Sequence, residues 1–504
     1  MKIFSTSQIR QLDNYTIEHE PILSLDLMER AAERILWQFR KDWGDGYKVA
    51  LFCGQGNNGG DGLALSRMLL QVGYEVRVIL VHTGKLSINC EQNRKRLYQL
   101  FPTSLVELQN KFTPIDLPTE TIVIDALFGS GLSRPLEGIF AETVRWINSL
   151  ENTVLSIDIP SGLEGERCVT SNDNIIRANV TYTLQFPKTA FFYPENEVFI
   201  GHWEVIDIQL HPQAIEQENT HWFYVNRKDV FPKLKNRSKF SHKGSLGHVC
   251  LFAGSSGMGG AAVLAALAAL RCGSGLVTVV GMETNRQILQ IAVPEAMYKT
   301  DISNIDKYGV FACGPGIGTS KEAQDMLQQV VSYIYSYEKS YLKKKIGCVF
   351  DADALNIISS NSDLMKMIPK NSILTPHPKE FDRLFGVSGN SLQRLQKARQ
   401  KSMELNVIII LKGAYTSICI PDGNVYFNST GNPGMATGGM GDVLTGIIAG
   451  LLAQGYSPKD SAVTGVYLHG LSADLALNTQ SEESLLPRDV IENLGKSYNI
   501  TRKG

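Results

Sequence analysis

Along the first forty residues apolar positions recur every three or four, and Leu27, Met28, Ala31, Ala32, Ile35, Leu36 and Phe39 mark one face of the second of two amphipathic helices. From Tyr47 the period changes. Short apolar runs (YKVALFC, YEVRVILV, TIVIDALFG, VLSIDIPSG) alternate with helical or irregular stretches such as GLALSRMLLQVG. Such alternation predicts a parallel sheet covered by helices on both faces. Between residues 210 and 245 the texture turns polar (HPQAIEQENTH) and then basic (RKDVFPKLKNRSKFSHKGS), nearly free of strand signal. A second alternating series starts at HVCLFAG and runs through GLVTVVG, YGVFACGPGIG, GCVFDADALN, SILTPHP and VIIILKGAYTSICIPDG. The pattern predicts two α/β domains, residues 1–220 and 221–504, each a three-layer α/β/α arrangement.

Composition narrows the classes. With 504 residues, 43% hydrophobic and 20% charged, the chain is an ordinary globular one. A net charge of −1 gives no general footprint for nucleic acid or an anionic membrane surface. The expected partners are therefore small molecules; separately, a homo-oligomer is expected. The most apolar segment, GGAAVLAALAALRCGSGLVTVV, is broken by Arg271 and several glycines, so no membrane span is expected; it reads as a buried helix and a strand. The start, MKIFSTSQIRQLDNYTIEHE, lacks the apolar core of a secretory signal. Eight scattered cysteines with no CxxC pair read as small core residues, not as a zinc site or a disulfide framework. A cytoplasmic protein is expected.

Several apolar strands end in chemically capable residues: Asp125, Asp158, Gly316, Asp351 and His377. In open α/β sheets ligands bind beyond the carboxyl ends of strands, so these could line one cleft per domain. Each also fits plain strand termination or helix capping.

In the N-terminal half, GQGNNG fits GxGxxG through Gly54, Gly56 and Gly59, after a strand and before a helix. Backbone N–H groups at such a helix start attract a phosphate. The acid that usually holds the ribose hydroxyls is missing, since the next strand ends in His82 and Thr83. Hydride transfer is thereby disfavoured. Asn57, Asn58 and Asp61 add two amides and a carboxylate to the turn, with Asp125 and Ser161 from neighbouring strand ends. Such oxygens suit a hard cation, either Mg2+ or a monovalent ion.

In the C-terminal half, GNPGMATGGMGDVLTG sets six glycines around one acid, Asp442, at the start of an apolar helix. No GK[ST] follows, so this is not a Walker A loop. Gly438, Gly439 and Gly441 leave backbone N–H groups open to a phosphate, and the macrodipole favours an ionised Asp442. A carboxylate so placed can take the proton from an acceptor hydroxyl as its oxygen attacks phosphorus. A capping aspartate on a buried helix is the bland alternative.

Two resemblances then become specific. GQGNNGGDGLALSR, DALFGSGLSRPLEG, DIPSGL and LMERAA resemble the NAD(P)H-hydrate epimerase family, over most of residues 1–215. The resemblance implies a Rossmann-like domain that epimerises the hydroxyl-bearing carbon of hydrated NADH or NADPH (NADHX, NADPHX), with potassium (K+) nearby. It implies substrate contacts from Asn57, Asn58, Gly59, Gly60 and Asp61, from Gly129, Ser130, Gly131, Leu132, Ser133, Arg134 and Pro135, and from Asp158. Asn58, Asp125 and Ser161 would surround K+, with Asp125 also a candidate catalytic residue. Gln55 stands where the family usually has proline, and the acid that commonly follows DIPSGL is displaced to Glu164.

Further on, GSSGMGGAAVLAALAALRCGSGLVTV, GPGIG, DADALN, TPHPKEF, KGAYT and NPGMATGGMGD resemble, in order, the ADP-dependent NAD(P)H-hydrate dehydratase family, over roughly residues 235–480. That resemblance implies a ribokinase-like fold using ADP with Mg2+. Asp442 would be the base and, with Ala261, Gly316 and His377, would touch the hydrate. Lys412, Gly413, Ala414, Tyr415, Thr416 and Gly441 would hold the nucleotide. Lys379 stands where many relatives carry glycine. The expectation is a bifunctional repair enzyme. The alternative is a ribokinase-like small-molecule kinase with a nucleotide-binding Rossmann-like accessory domain.

Overall fold

The computed structural model describes residues 1–169, 174–302, 305–338 and 346–503. The chain divides into two compact units, Lys2–Thr220 and His221–Gly504, the latter including Met1.

The first unit opens with β1 (Lys2–Ile3) and two helices, Thr6–His19 and Ser24–Trp43. Leu27, Met28, Ala31, Ala32, Ile35 and Phe39 bury the predicted stripe of the second helix. The sheet comprises β2 (Lys48–Cys53), β3 (Glu75–His82), β4 (Leu105–Gln109), β5 (Ile122–Ala126), β6 (Val154–Ile157), β7 (Val180–Leu184) and β8 (His202–Ile206). All are parallel, in the order β4-β3-β2-β5-β6-β7-β8. Alternate residues serve opposite faces. Ala50, Phe52, Ile79, Val81 and Val123 pack against the helix Gly138–Ile147. On the other face the helix Asn57–Gln71 comes so close that a Cβ on Gly62 would lie 2.8 Å from Cys53 Sγ.

The second unit carries β9 (Trp222–Val225), β10 (His248–Phe252), β11 (Leu276–Val280), β12 (Met297–Lys299), β13 (Val310–Cys313) and β14 (Gly347–Phe350). It continues with β15 (Ile373–Leu374), β16 (Ile408–Leu411), β17 (Ser417–Cys419) and β18 (Val425–Asn428). Their order is β9-β18-β17-β16-β15-β14-β13-β10-β11-β12. Two features differ from the pattern reading. β17 runs antiparallel to β16 and β18, because the connections 412–416 and 420–424 are too short for a crossover and long enough only for a hairpin. The aromatic run WFYV forms β9 between the polar and basic stretches, too short to leave a periodic signal.

The buried apolar helix Gly259–Cys272 packs against Met440–Ala453. A Cβ on Gly446 would lie 2.2 Å from Ala265 O, and one on Gly450 2.7 Å from Ala269 O. Those two glycines therefore serve helix packing, whereas Gly431, Gly434, Gly438 and Gly439 precede the helix and Gly441 lies in its first turn. All eight cysteines are buried, and none is joined in a disulfide. Among the described residues, no helix is long and apolar enough to cross a membrane.

Candidate active sites

The N-terminal crevice lies where the strand order reverses, at the carboxyl ends of β2 and β5. Gly54 N–H donates to Ala126 O at 3.0 Å. A Cβ on Gly54 would lie 1.9 Å from Leu127 O, and one on Gly59 1.7 Å from Gly54 O. Only glycine fits this turn. The helix Asn57–Gln71 then begins without a side-chain cap, so its first N–H groups are available to a ligand.

Asp125 is fully buried at the end of β5. Its Oδ1 accepts from Ser161 Oγ at 2.6 Å and Leu127 N at 3.2 Å; its Oδ2 accepts from Ser161 N at 2.8 Å and Ser156 Oγ at 2.9 Å. All four donors are neutral. Burial pushes its pKa up, against the pull of those donors. Neither oxygen is left free to exchange a proton. Ser161 Oγ also accepts from Phe128 N at 2.8 Å, which ties the loop after β6 to the loop after β5.

Asp158 stands at φ +69°, a backbone region non-glycine residues rarely enter. Its Oδ2 accepts from Ser130 N at 2.9 Å and its Oδ1 meets Lys188 Nζ at 2.7 Å. Burial opposes this charge, but Lys188 and Ser130 prevail and hold the Asp158 carboxyl below its usual range. A Cβ on Gly129 would lie 3.0 Å from Asp158 Oδ2 and 3.4 Å from Asn58 Oδ1, so Asn58, Gly129, Ser130 and Asp158 converge. Asn58 is buried, and its Nδ2 has no hydrogen-bond partner. Asp61 is buried beside them, and burial, reinforced by Asp158 and Asp13, raises its pKa well above the carboxylate range. Asn57, Ser133, Arg134 and Pro135 are exposed at the rim, and Leu132 packs on the core beneath.

The C-terminal crevice lies at the ends of β10 and β13, where the second sheet reverses order. Gly254 N donates to Pro315 O and Ser255 N to Gly316 O at 2.6 Å, binding the two loops together. Gly316 has φ +60°, and a Cβ there would lie 3.0 Å from Ala261 Cβ, so these two predicted residues adjoin. Asp351 follows β14, and its Oδ1 meets Lys412 Nζ at 2.9 Å while its Oδ2 accepts from Thr445 Oγ1 at 2.8 Å. A Cβ on Gly441 would lie 3.4 Å from Lys412 Nζ. Lys412 Nζ also lies 3.8 Å from Glu380 Oε2. Burial works against the ammonium, yet Asp351 and Glu380 keep the pKa of Lys412 raised.

Asp442 sits in the first turn of its helix. Burial first, then the charges of Asp351 and Asp353, push its carboxyl up to about 7 against the pull of Lys412. It is thereby poised to gain or lose a proton near neutrality. His377 caps the helix Pro378–Phe385, its Nδ1 accepting from Lys379 N at 3.1 Å and Glu380 N at 3.3 Å. Burial, aided by Lys412 and Arg383, keeps its pKa low despite Glu380, so its ring is neutral with Nε2 carrying the hydrogen. Gly413 and Thr416 close a small turn through Thr416 Oγ1 and Gly413 O at 2.9 Å, with Gly413 and Ala414 exposed and Tyr415 half-buried.

Sequence reasoning missed Lys188, Asp13, Glu380, Asp353 and Thr445. Lys188 had one signal, a lone lysine in the aromatic run TYTLQFPKTAFFYP. Asp353 accepts from Gly318 N at 2.9 Å and so holds the GPGIG loop, a role its motif did not disclose.

Comparison with known proteins adds the following. Residues 249–496 match the family described as NAD(P)H-hydrate dehydratase, and residues 24–190 the family described as YjeF-related protein N-terminus. The bifunctional NAD(P)H-hydrate repair enzyme Nnr of Moorella thermoacetica is 32% identical over 98% of this chain and 96% of its own. The enzyme of the same name from Coxiella burnetii is 32% identical over 98% of both chains. A ribokinase-like superfamily protein from Enterococcus faecalis V583, of known structure, is 29% identical at a TM-score of 0.51, covering 57% of this chain and 100% of its own.

Proposed function

The chain belongs to the bifunctional NAD(P)H-hydrate repair enzymes, and from that premise we propose how its two crevices divide the work. The N-terminal unit epimerises hydrated NADH and NADPH; the C-terminal unit dehydrates one epimer at the expense of ADP. Together they return both epimers to intact coenzyme.

In the dehydratase crevice the difficulty is chemical: hydroxide is a poor leaving group. Asp442 takes the proton of the hydrate hydroxyl as that oxygen attacks the terminal phosphorus of the nucleotide. The ring-nitrogen lone pair then expels phosphate, and loss of a proton from the neighbouring ring carbon restores the dihydropyridine. Lys412, beside Gly441, offers a cation to the nucleotide phosphates. Gly413, Ala414, Tyr415 and Thr416 form the rest of the nucleotide side, and Ala261, Gly316 and His377 the hydrate side. Asp351, Asp353, Glu380 and Asp442 outnumber the one lysine among them, so the crevice carries negative charge that Mg2+ brought in on the ADP phosphates would offset. That ion would neutralise phosphate charge during transfer.

In the epimerase crevice the residues fit K+. Asp125 is a fully buried carboxylate whose four donors are all neutral. A monovalent cation held with Ser161 Oγ would supply the missing positive charge. The unpartnered end of the Asn58 amide, turned so that its oxygen faces the ion, would be a third oxygen ligand. Bound there, K+ would fix the crevice loops and offset substrate phosphate charge.

The observation that carries the dehydratase reading is the Asp442 carboxyl near neutrality beside Lys412 and Gly441. The test is incubation of hydrated NADH with protein and ADP. Return of the reduced-nicotinamide absorbance, with AMP and phosphate released, is expected. A stable phosphorylated product would instead support a small-molecule kinase.

A further inference from the structure

The first helix, Thr6–His19, places Thr6, Arg10 and Asp13 on one face by their spacing. That face lies along the 129–135 loop. Thr6 Oγ1 donates to Ser130 O at 3.1 Å, and Arg10 Nη2 to Gly131 O at 3.4 Å. Thr6 N is held in turn by Glu166 Oε1 at 2.7 Å. One turn beyond Arg10, the half-buried Asp13 carboxyl reaches the field of the Asp158–Lys188 pair and of Asp61. Three carboxyls and one lysine thus surround the place where Asn58, Gly129 and Ser130 converge.

The three acids are not equivalent. Asp158 is fixed as an anion by Lys188 and Ser130 N. Asp61 is buried at the start of its helix, and the same burial favours its neutral form. Asp13 makes no hydrogen bond to another described residue, so its oxygens are open to a ligand. We propose that Asp13 is the catalytic acid–base of epimerisation, and this rests on the reading of the N-terminal unit as the epimerase. Its protonated carboxyl gives a proton to the hydroxyl of the hydrate. The C–O bond breaks with its electron pair on oxygen, water departs, and the ring-nitrogen lone pair forms the C=N bond of an iminium. Water then adds to the opposite face of that carbon, its electron pair closing the C–O bond as the C=N pair returns to nitrogen. The proton it sheds passes to solvent water, and Asp13 regains its own from solvent, so nothing is consumed. Burial, with Asp158 adding and Lys188 opposing, raises the Asp13 carboxyl to about 6, within reach of both halves of the cycle. Arg10, on the same helix, is engaged with Gly131 and does not face this proton.

The test follows interconversion of chromatographically separated epimers of hydrated NADH by the full chain without ADP. Asp13→Asn should lower the catalysed rate about 100-fold or more. ADP-dependent dehydration of the competent epimer should be unchanged. The wild-type catalysed rate should fall as pH rises through about 6, where the acid form is lost, and Asp13→Glu should keep a displaced version of that limb. Full activity in Asp13→Asn overturns the proposal. So does a wild-type rate flat across that range, even if the variant does not fold. Absence of any interconversion by wild type overturns the epimerase reading itself, and the assignment of Asp13 with it.

Discussion

Lys412 Nζ lies 2.9 Å from Asp351 Oδ1, an ion pair that joins the loop after β16 to the end of β14. Thr445 Oγ1 holds the other carboxylate oxygen from the helix that carries Asp442. One buried acid therefore aligns the lysine with the helix and raises the pKa of Asp442 by its charge.

Replacing that acid separates the two effects. In Asp351→Asn the negative charge that hinders Asp442 ionisation is gone, so the acidic limb of kcat should move to lower pH. Lys412 loses its nearest partner, so KM for ADP should rise. A limb that moved to higher pH would contradict the electrostatic account.

Asp442 itself should trade stability against activity. Its folded pKa of about 7 lies above the carboxylate value of 3.8, so the folded form binds the proton more tightly than the unfolded chain. Stability on this account is greatest below 3.8, falls as pH rises towards 7, and stays lower beyond. Asp442→Asn should therefore raise Tm by a few degrees at pH 8 and hardly at all at pH 4. Dehydration should fall by about 100-fold or more while ADP still binds, as calorimetry would show. In the wild type, dehydration should increase with pH through about 7 as the base form appears. A Tm that dropped at pH 8 would show that the carboxylate is not strained in its site.

Much of this was legible in the chain, for identifiable reasons. Parallel strands buried on both faces leave unbroken apolar runs, so β2, β3, β10 and β13 stood out. Asp442 and the Gly54 turn were visible because glycines clustered around a single acid are rare without a steric or chemical reason. The direction of β17 was not legible, since a strand's pattern is the same in either direction and only the length of its connections decides. Asp13 was hidden because an acid on the polar side of an amphipathic helix looks solvated until the helix is docked. Lys188 was hidden because its partner, Asp158, is thirty residues away.

The glycines of the C-terminal motif should sort into two kinds. Gly446→Ala forces a Cβ to within 2.2 Å of Ala265 O, where only backbone can yield. It should cost about 1–3 kcal/mol and lower Tm by several degrees. Gly438 has nothing within 4 Å of its Cβ position, so Gly438→Ala should leave stability within about 0.5 kcal/mol. Any loss there should appear in ADP binding alone. Equal destabilisation by both substitutions would refute the division.

Potassium should be detectable without any turnover. If K+ completes the charge balance of Asp125, adding it stabilises the folded N-terminal unit by mass action, as RT ln(1 + [K+]/Kd). Thermal unfolding in KCl should then occur at higher temperature than in choline chloride of equal ionic strength, with the difference saturating as KCl increases. Asp125→Asn keeps the size of the side chain but removes the charge, while its amide must now present one donor where Ser161 or Leu127 also donates. The variant should be less stable than wild type in both salts, because a buried donor is left facing a donor. It should also have lost the difference between them. Asn58→Ala should weaken the K+ response while perturbing the fold less, since its Nδ2 makes no hydrogen bond to lose. Wild-type curves that coincide in the two salts would remove K+ from this crevice and leave Asp125 as a bracing residue for Ser161 and the loop after β5.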